Sequence, residues 1–381
     1  MRIGFLYNHE APHQIAHTAP VAAELARRDG VTVTVLTTSA EQEARARALI
    51  GPAAARIRFV HLSIGPLARA ADAGLRWIVP FRRIAMLREN LPRFAELDVL
   101  VVPETTSLLL RDRFGLSDLK LVWIPHGAGD RSVGFRPVIR GFDLVLLSGP
   151  KVRDRMVAQG LITPENHAII GYPKFDTVEP QSPLPPLFAN GRPTVLYNPH
   201  FDPRLSSWYT LGEPVIRWFA DQDRFNLVVA PHVMLFRRRF HASVEHRRVR
   251  WRGDVPRIAA RHILIDTGSA RSVDMSYTRA ADIYLGDASS QVYEWIARPR
   301  PAIFLNPGRF DWANDPSFAH WHLGDVIDTA AALPAGLDRA VTRPDRYAAS
   351  QAHAFAQTFG SLGGGASRRA ADAILARYGS R

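Results

Sequence analysis

The sequence predicts an α/β protein made of two doubly wound domains, and three observations lead to this fold class. Short apolar runs rich in β-branched residues alternate with helical patterns, which is typical of a parallel sheet built from strand–helix–strand units. The runs are almost continuously apolar, as expected for strands that are covered on both faces. The alternation stops once, in a proline-rich segment, and then begins again, so the sequence predicts two sheets.

The first half of the chain contains strand candidates separated by helical patterns. The strands are predicted at 2–8, 31–38, 56–62, 98–104, 120–126 and 142–149. The clearest helical patterns between them lie at 17–30 and 40–50. Together they predict an N-terminal domain over residues 1–180 with one parallel sheet.

The pattern restarts after the segment DTVEPQSPLPPLFANGRP (176–193), whose prolines and small polar residues are typical of a linker. The later strands are predicted at 194–200, 225–232, 261–267, 281–287 and 301–307. We therefore expect a linker at 181–193 and a second domain over 194–345. Amphipathic patterns over 346–381 predict one or two C-terminal helices.

Composition narrows the classes of partner. The chain of 381 residues has a formal net charge of +12 and no cysteine. The charge favours an anionic partner, and nucleic acid, an anionic bilayer or a phosphorylated substrate would each satisfy it. The lack of cysteine excludes a disulfide framework and a thiol nucleophile. No apolar run approaches the roughly 20 residues of a membrane-spanning helix, and the opening MRIGFLYNHE is predicted to be a strand, so we expect a cytoplasmic protein.

Four polar clusters directly follow predicted strands. They are WIPHGAGDR (123–131), IIGYPKFD (169–176), VVAPHVM (228–234) and LGDASSQVYEW (285–295). In open parallel sheets, ligands bind beyond the carboxyl ends of the strands, where loops and helix N-termini converge. A single histidine or serine at such a place is more often a cap or a surface residue. Four clusters at equivalent ends of two sheets favour a binding site.

The cluster at 285–295 is expected both to cap a helix and to bind a phosphate. Asp287, Ser289 and Ser290 are all good N-cap residues for the helix predicted to follow them. The N-terminus of that helix would present backbone N–H groups and the positive end of its dipole to a phosphate. We therefore expect a capped helix that is also the phosphate site of a nucleotide.

Five motifs, taken in order, resemble those of the CDP-glycerol glycerophosphotransferases of teichoic acid synthesis. They are HG (126–127), GYPKFD (171–176), LYNPHF (196–201), PH (231–232) and DASSQVYE (287–294), and the resemblance covers roughly residues 95–310. It implies a GT-B fold, in which two Rossmann-like domains face each other across a cleft. The acceptor would bind the N-terminal domain and the donor the C-terminal domain, and the helices over 346–381 would pack back on the N-terminal domain. Glycosyltransferases and sugar epimerases of this fold have a stretch comparable to the last motif.

The resemblance implies a role for each matching residue. His126 would be the general base that takes a proton from an acceptor hydroxyl, and His232 would be a second catalytic residue that contacts a donor phosphate. Glu294 would accept hydrogen bonds from the ribose. The other residues expected on the donor side are Gly171, Tyr172, Lys174, Asp176, Asn198, His200, Asp287, Ser289 and Ser290. On the acceptor side we expect Gly127, which permits close backbone approach, and Glu104.

Residues 75–94 form the first of two basic stretches. They place Trp77 and Phe81 beside Arg82 and Arg83, a combination that suits the boundary of an anionic bilayer. The alternative is an ordinary amphipathic helix packed on the sheet with its arginines outward.

Residues 235–252 form the second basic stretch and hold seven arginines, among them Arg237, Arg238 and Arg239. A membrane-facing surface or a polyanion-binding surface would use these charges, and a solvated loop is the alternative. Nucleic acid is not expected, because no motif of a DNA- or RNA-binding fold accompanies the cluster.

The leading hypothesis is a metal-independent peripheral membrane transferase at the inner face of the cell membrane. It would move glycerol phosphate or a similar phosphoalcohol from a CDP-linked donor to a hydroxyl of a lipid-linked glycan, a lipid or a polymer, with no cofactor besides the donor. One alternative keeps the fold and makes the protein a glycosyltransferase or 2-epimerase that uses a UDP-sugar, with Glu104 as the carboxylate an epimerase needs. Another alternative is a non-catalytic protein that binds a polyanion.

Overall fold

The computed structural model describes residues 1–8, 12–75, 81–131, 134–243, 247–360 and 364–379. The chain divides into two compact units. The first unit comprises Met1–His126, Phe135–Thr177 and Gln357–Arg381, and the second comprises Gly127–Gly134 and Val178–Ala356. In contrast to the predicted ranges, the loop 127–134 and residues 346–356 therefore belong to the second unit.

The first unit is built on a parallel sheet of seven strands in the described residues. In chain order they are β1 (Arg2–Tyr7), β2 (Thr32–Thr37), β3 (Arg58–His61), β4 (Val99–Val102), β5 (Lys120–Trp123), β6 (Leu144–Leu147) and β7 (His167–Ile169). Their order across the sheet is β3-β2-β1-β4-β5-β6-β7, so the direction of winding reverses between β1 and β4. Such a reversal is the topological switch point of a doubly wound sheet.

Helices cover both faces of this sheet. They are α1 (Ala19–Leu25), α2 (Ala40–Ile50), α3 (Pro66–Leu75), α4 (Phe81–Glu89), α5 (Leu91–Ala95), α6 (Leu109–Asp112) and α7 (Pro150–Ala158). Ile3 and Phe5 of β1 enter one core, which also holds residues of α1 and α2, whereas Leu6 enters a second core with residues of α4 and α5. Neighbouring residues of β1 thus enter different cores, because successive side chains of a strand point to opposite faces.

The second unit contains a parallel sheet of six strands and a separate antiparallel hairpin in the described residues. The strands are β8 (Thr194–Asn198), β9 (Asn226–Val229), β10 (Phe240–Ser243), β11 (Arg248–Trp251), β12 (Ile263–Ile265), β13 (Ile283–Gly286), β14 (Ala302–Leu305) and β15 (Asp325–Ile327). The order across the sheet is β12-β9-β8-β13-β14-β15. The switch point of this unit lies between β8 and β13.

The helices of the second unit pack on its sheet. They are α8 (Trp208–Ala220), α9 (Met234–Arg237), α10 (Ser276–Ala280), α11 (Gln291–Trp295), α12 (Leu333–Thr342) and α13 (Ala348–Phe359), and the division between the units falls near the end of α13. The last helix, α14 (Ala366–Tyr378), belongs to the first unit. Its residues Ala370, Ala371 and Ile374 enter the core that holds β1 and α1.

The predicted fold class is confirmed, since both units are doubly wound parallel α/β structures. Each strand predicted above is present within its predicted range. The hairpin of β10 and β11 and the edge strands β7 and β15 have no predicted range above, because arginines dominate the hairpin and β7 and β15 have three residues each. Among the helices in the described ranges, none combines the length and the apolar character needed to cross a membrane.

Candidate functional site

The switch point of the second unit brings together the loops that follow β8, β9 and β13. β8 is hydrogen-bonded to β9 on one side and to β13 on the other. His200 follows the carboxyl end of β8, His232 follows that of β9, and Asp287 follows that of β13. Ligands of doubly wound sheets bind in the crevice at such a reversal. This switch-point edge is therefore the candidate site of the second unit.

Asp287 fastens the loop after β13 to the loop after β8. Its carboxylate is fully buried; Oδ1 accepts a hydrogen bond from the backbone N–H of His200 (2.8 Å), and Oδ2 accepts from the backbone and hydroxyl of Ser207 (2.6 and 2.8 Å). Burial raises the pKa of Asp287 to about 6, although these bonds act in the opposite direction. The prediction that Asp287 caps the following helix is wrong, because its oxygens bind the β8 loop.

The helix that follows this aspartate is short. α11 has five residues, and Ser290, directly before it, makes no side-chain capping bond. The hydroxyl of Ser289 instead accepts a hydrogen bond from the backbone N–H of Gln291 at 3.3 Å. Glu294 lies on the same turn and is buried. A helix of little more than one turn supplies only a small part of a full helix dipole, so the predicted phosphate site loses that support.

The amide of Asn198 links the ends of neighbouring strands. Its Nδ2 donates to the carbonyl of Ala230 at 2.7 Å, just beyond β9, and its Oδ1 accepts from the hydroxyl of Tyr284 in β13 at 3.1 Å. All three residues are buried. Both ends of the amide are thus engaged within the sheet, so Asn198 helps to fix the spacing of the switch-point edge.

The two ring nitrogens of His200 have different neighbours. Nδ1 accepts from the backbone N–H of Asp202 at 3.0 Å, and Nε2 lies 3.3 Å from Nη1 of Arg131, which can only donate. The ring is buried, and burial together with the positive charge of Arg131 holds the pKa of His200 well below its ordinary value. His200 is therefore neutral near pH 7.

The neighbouring His232 presents the opposite kind of group. Its ring centroid lies 5.3 Å from that of His200. Its Nδ1 accepts a hydrogen bond from the backbone N–H of Met234 at 3.2 Å, so in the neutral ring the hydrogen resides on Nε2. An N–H donor at the end of a central strand suits an anionic oxygen, which is the role the sequence analysis predicted for His232.

The loop 127–134 belongs to the second unit and lies against Ser290. A Cβ atom on Gly129 would come within 3.0 Å of the Ser290 Cβ, and one on Gly127 would come within 3.4 Å of the Ser290 hydroxyl oxygen. Glycine therefore permits a backbone approach that larger residues would obstruct. Gly127, predicted on the acceptor side, lies in the same unit as His200, His232 and Asp287.

Asp130 and Arg131 anchor this loop, and the sequence analysis did not single them out. The buried Asp130 carboxylate accepts a hydrogen bond from the hydroxyl of Tyr293 (2.5 Å) and lies 3.2 Å from Nδ1 of His320. The guanidinium of Arg131 lies 3.7 Å from the carboxylate of Asp202. In the sequence, the charged pair that directly follows HGAG could have marked these two residues as candidates. Their partners Tyr293, His320 and Asp202 lie far along the chain, so sequence spacing does not reveal them.

His126, at the end of β5 in the first unit, has a defined ring hydrogen. Its Nδ1 lies 2.9 Å from the carbonyl oxygen of Pro103, which can only accept, so Nδ1 donates and Nε2 carries the lone pair in the neutral ring. His126 is exposed at the surface, but the protein atoms around its ring lower its pKa, whereas the Pro103 carbonyl and the nearby Glu104 act in the opposite direction. A neutral imidazole whose Nε2 carries the lone pair has the tautomer that a general base needs.

Two histidines that follow β1 were missed by the sequence analysis. The ring centroid of His13 lies 6.1 Å from that of His126, and the ring of His17 is buried. The pKa of His17 lies well below its ordinary value. Burial is the larger cause, and the positive charge of Lys174 is the second. The four-residue spacing of these histidines after a strand could have marked them as candidate site residues. In the described ranges, no group of three or more histidine, aspartate or glutamate residues could hold a metal ion.

Glu104, predicted on the acceptor side, is turned back onto its own loop. Its carboxylate accepts hydrogen bonds from the backbone N–H of Thr106 and from the backbone N–H and hydroxyl of Ser107. The side chain is buried. Three local bonds therefore hold Glu104 as the cap of the 3₁₀-helix Thr106–Leu108.

The GYPKFD motif holds α14, a structural role that the sequence analysis did not predict. The Asp176 carboxylate accepts hydrogen bonds from the backbone N–H groups of Gly365 (2.6 Å), Ala366 (3.2 Å) and Ser367 (2.6 Å). Gly171 has φ +87°, and a Cβ atom there would come within 2.9 Å of the Arg369 side chain. Both residues were predicted to bind the donor; the structure uses the Asp176 oxygens to cap α14 and the bare Cα of Gly171 to let this helix approach.

Tyr172 and Lys174 of the same motif are buried. The Tyr172 ring lies 4.9 Å, centroid to centroid, from each of the rings of His17, Phe175 and Phe359. Tyr172 thus packs between the segment after β1 and the end of α13. The buried ammonium of Lys174 lies near enough to His17 to act on its charge, so in the first unit it belongs with the histidines that follow β1.

The two basic stretches differ in exposure. Phe81 begins α4 and packs partly buried against the core, while Arg82 is exposed and Arg83 is half-buried. Trp77, the other aromatic residue predicted there, lies outside the described residues. The arginines of the second stretch, Arg237, Arg238 and Arg239, are all exposed at the start of the hairpin.

Among known proteins, the chain has similar solved structures but no similar sequence family. No protein-family model matches the chain, and no curated protein matches it significantly. Among solved structures, the chain is similar to the UDP-GlcNAc 2-epimerase from Neisseria meningitidis bound to UDP-GlcNAc, at 12% identity and a TM-score of 0.62, covering 99% of this chain and 100% of that one.

Two other solved structures are similar over nearly the whole chain. The wall teichoic acid polymerase TagF, soaked with CDPG, is 13% identical with a TM-score of 0.60, covering 99% of this chain and 88% of that one. The calicheamicin glycosyltransferase CalG4 is 16% identical with a TM-score of 0.56, covering 100% and 98% respectively. These likenesses, together with the two doubly wound units, show that the chain has the GT-B fold.

Proposed function

We propose that the protein is a GT-B glycosyltransferase that moves a sugar from a UDP-sugar to an acceptor hydroxyl. The observation that carries the proposal is the switch-point edge of the second unit, where the Nε2–H of His232 and the neutral His200 follow adjacent central strands. Nucleotides bind doubly wound sheets at this place. The solved structure that holds UDP-GlcNAc supports a uridine diphosphate sugar as the donor. The likeness to the glycosyltransferase CalG4 supports glycosyl transfer as the reaction.

The proposed chemistry needs a donor to the diphosphate, an acceptor for the ribose hydroxyls and a general base. In the second unit, His232 donates a hydrogen bond to a diphosphate oxygen, and Glu294 accepts bonds from the ribose hydroxyls. A general base takes the proton of the acceptor hydroxyl as its oxygen forms a bond to the anomeric carbon. His126 of the first unit, whose Nε2 carries the lone pair in the neutral ring, has the chemistry of such a base. The bond between the anomeric carbon and the phosphate oxygen breaks, and UDP leaves with the electron pair. The negative charge that develops on the leaving group is stabilised by donors such as His232.

Epimerisation of a UDP-sugar at C2 is less well supported. That reaction must remove a proton from a carbon atom and return one to it, and Glu104 was the carboxylate expected to take part. Its oxygens already accept three hydrogen bonds from Thr106 and Ser107. A carboxylate whose oxygens are held by its own loop is not presented to a substrate carbon.

The transfer of a phosphoalcohol from a CDP-linked donor is the second candidate. The order of the HG, PH and DASSQVYE motifs in the sequence, together with the likeness to TagF, favours it. Its in-line attack on phosphorus would release CMP, whereas glycosyl transfer releases UDP. The leaving nucleotide therefore distinguishes the two candidates.

Nucleotide binding is the first test. Purified protein would be titrated with UDP, CDP, GDP, UDP-GlcNAc and CDP-glycerol while its thermal unfolding is followed. A ligand at a hundredfold excess over its Kd stabilises the folded protein by about 2.7 kcal/mol. We expect a rise in Tm with uridine compounds that His232→Ala reduces strongly. The exposed His353 in the same unit provides the matched control, and His353→Ala should bind as the wild type does.

Each outcome decides between the candidates. Stabilisation by uridine compounds with UDP release in the presence of a UDP-sugar supports glycosyl transfer. Stabilisation by cytidine compounds alone, followed by CMP release, replaces it with phosphoalcohol transfer. If none of the nucleotides raises Tm, both enzymatic proposals fail and a non-catalytic polyanion-binding protein becomes the better hypothesis.

A further inference from the structure

The hairpin of β10 and β11 has two faces that differ in burial. In an antiparallel pair, residues directly opposite each other share a face. Phe240 is paired with Trp251, and Ala242 is paired with Val249, so these four side chains form one face, here called the outer face. The inner face contains the paired residues His241 and Arg250, followed by Ser243 and Arg248.

The inner face holds the hairpin onto the second unit. His241 and Ser243 are buried, and Nε2 of His241 lies 2.8 Å from the carbonyl oxygen of Leu235. At the base of the hairpin, the indole N–H of Trp208 donates to the carbonyl of Arg252 at 2.6 Å. The orientation of the hairpin is therefore fixed by contacts within this unit, and its outer face is the one that points away from them.

The outer face exposes large apolar side chains to solvent. Phe240 is 61% exposed, Val249 is 69% exposed and Trp251 is 55% exposed. Scattered single apolar residues are normal on a protein surface, but a contiguous group of this kind marks a surface that binds another apolar phase or a partner. In the described part of the chain, the other exposed large apolar residues, such as Leu67 and Val341, do not lie on this face.

Positive charge surrounds this apolar face. Residues 237–252 contain seven arginines and one glutamate, so the formal net charge of the segment is 7 − 1 = +6. Arg237, Arg238 and Arg239 precede β10, and Arg247 and Arg248 lie at the start of β11; all five are exposed. An apolar centre with a basic rim matches the interface of an anionic bilayer, which offers acyl chains below a layer of negative headgroups.

We propose that the outer face of the β10–β11 hairpin docks the protein on an anionic lipid bilayer. Phe240, Val249 and Trp251 would enter the boundary between headgroups and acyl chains, and the flanking arginines would contact the headgroups. Single-stranded nucleic acid also binds aromatic and basic surfaces, but Val249 and Ala242 have no ring on which a base can stack. The proposal concerns a surface and holds whether or not the enzymatic proposal above does.

The test uses the full chain and vesicles of defined composition. Sedimentation with vesicles of equal parts phosphatidylcholine and phosphatidylglycerol would be compared with vesicles of phosphatidylcholine alone. We expect wild-type protein to bind the anionic vesicles, and Phe240→Ser combined with Trp251→Ser to weaken binding about tenfold or more, because two side chains lose their apolar burial. Arg237→Gln, Arg239→Gln and Arg248→Gln together should remove most of the preference for anionic lipid.

The matched control changes two exposed apolar residues elsewhere. Leu67 is 87% exposed and Val341 is 49% exposed, and Leu67→Ser with Val341→Ser should leave vesicle binding unchanged. All variants change exposed side chains, so each should keep the far-UV spectrum and Tm of the wild type. Equal loss of binding in the control pair and the hairpin pair would overturn the proposal.

Three further results would also overturn it. The first is wild-type protein that does not bind anionic vesicles, or that binds neutral vesicles equally well. The second is a dimer, measured by light scattering, that Phe240→Ser with Trp251→Ser converts to a monomer, because the face would then bind a second copy of the chain. The third is tight binding of a single-stranded oligonucleotide that depends on the same two side chains while vesicle binding does not.

Discussion

The histidines of this protein show how the partner of one ring nitrogen decides what the other can do. His126 donates from Nδ1 to a carbonyl, which leaves its Nε2 as an acceptor. His232 accepts at Nδ1 from a backbone N–H, which leaves its Nε2 as a donor. Both residues follow a strand in the sequence and look equivalent there. The sequence could therefore predict that each belongs to a site, but not which is suited to act as a base.

Three carboxylates also show that the partners of a side chain decide its role. Asp287, Asp176 and Glu104 all stand near strand ends and were all predicted as site residues. In the structure each accepts hydrogen bonds from backbone N–H groups, but Asp287 binds the loop after β8 and Asp176 binds α14. A carboxylate beside a strand end is readily recognised in a sequence. The partners of Asp287 and Asp176 are many residues away, so sequence spacing does not indicate whether such a carboxylate binds a ligand or another loop.

The burial of His200 predicts a pH dependence of stability. The pKa of the folded state lies well below the ordinary value near 6.5. Burial is the larger cause, and the positive charge of Arg131 is the second. Below pH 6.5 the unfolded chain takes up a proton at this position that the folded protein does not. The contribution to stability is therefore fully present above about pH 7, and it is lost as pH falls, by about 1.4 kcal/mol per pH unit for one histidine.

Urea unfolding of wild type and His200→Asn between pH 7.5 and pH 5.5 measures this contribution. The asparagine oxygen can still accept the bond from Asp202, but the side chain does not titrate. We expect the variant to be less stable at pH 7.5, with a free energy of unfolding that falls less steeply toward pH 5.5. Identical slopes in the two proteins would contradict a neutral, buried His200.

At the scale of elements, long apolar strands were predicted correctly and short or polar elements were not. The strands β8 and β13 stand out in the sequence because burial on both faces demands a continuous apolar run. The hairpin of β10 and β11 buries only one face and exposes aromatic residues on the other, so the arginines between them suggested a loop. A helix was predicted to follow Ser290, and α11 begins there but has only five residues. A cap sequence indicates where a helix begins but not where tertiary packing ends it.

The capping of α14 by Asp176 yields a prediction for a single element. Asp176 supplies three hydrogen bonds and a negative charge to the first turn of this helix. Asp176→Ala should destabilise the docked helix by about 1–2 kcal/mol. Hydrogen exchange should show faster exchange in residues 366–378, while β8 and β13 of the other unit keep their protection.

A second aspartate in the same helix is the control. Asp372 forms a 2.6 Å ion pair with Arg28, with about half of its side chain exposed to solvent. Exposed pairs of this kind contribute about 0–1 kcal/mol, so Asp372→Ala should change the exchange of α14 much less than Asp176→Ala does. Equal effects of the two substitutions would show that Asp176 does not act as a cap.

For the whole molecule, the sequence predicted two doubly wound sheets. The family resemblance implied that the helices over 346–381 pack on the N-terminal domain, but nothing in the sequence indicated which unit holds the loop 127–134. The first unit receives α14 from the end of the chain, and the second receives the loop 127–134 from the middle of the N-terminal half. Neither segment carries a local signal for this assignment. Gly129 resembles any loop glycine until Ser290 is seen beside it, and Ala370 or Ile374 resembles any residue on the apolar side of an amphipathic helix.

Removal of residues 360–381 tests whether the two units differ in their dependence on the C-terminal helix. Ala370, Ala371 and Ile374 are fully buried in the core of the first unit, which also contains Ile3 and Phe5 of β1. Loss of α14 would expose this core face, and the milder change Ile374→Ala alone should cost about 2–5 kcal/mol of stability. The second unit has a separate core, formed by residues such as Val195 and Leu285.

We therefore expect the truncated protein to unfold in two steps, with the first unit unfolding at much lower urea concentration than the second. Hydrogen exchange resolved by segment is the measurement: β1, β4 and β5 should lose protection after truncation, whereas β8, β9 and β13 should retain it. Ile374→Ala should also reduce the hydrogen-exchange protection of these strands of the first unit, by a smaller amount. If truncation removed protection from both sheets together, the units would be unfolding as one cooperative body, and the stability of the second would then depend on a helix that its own core does not contain.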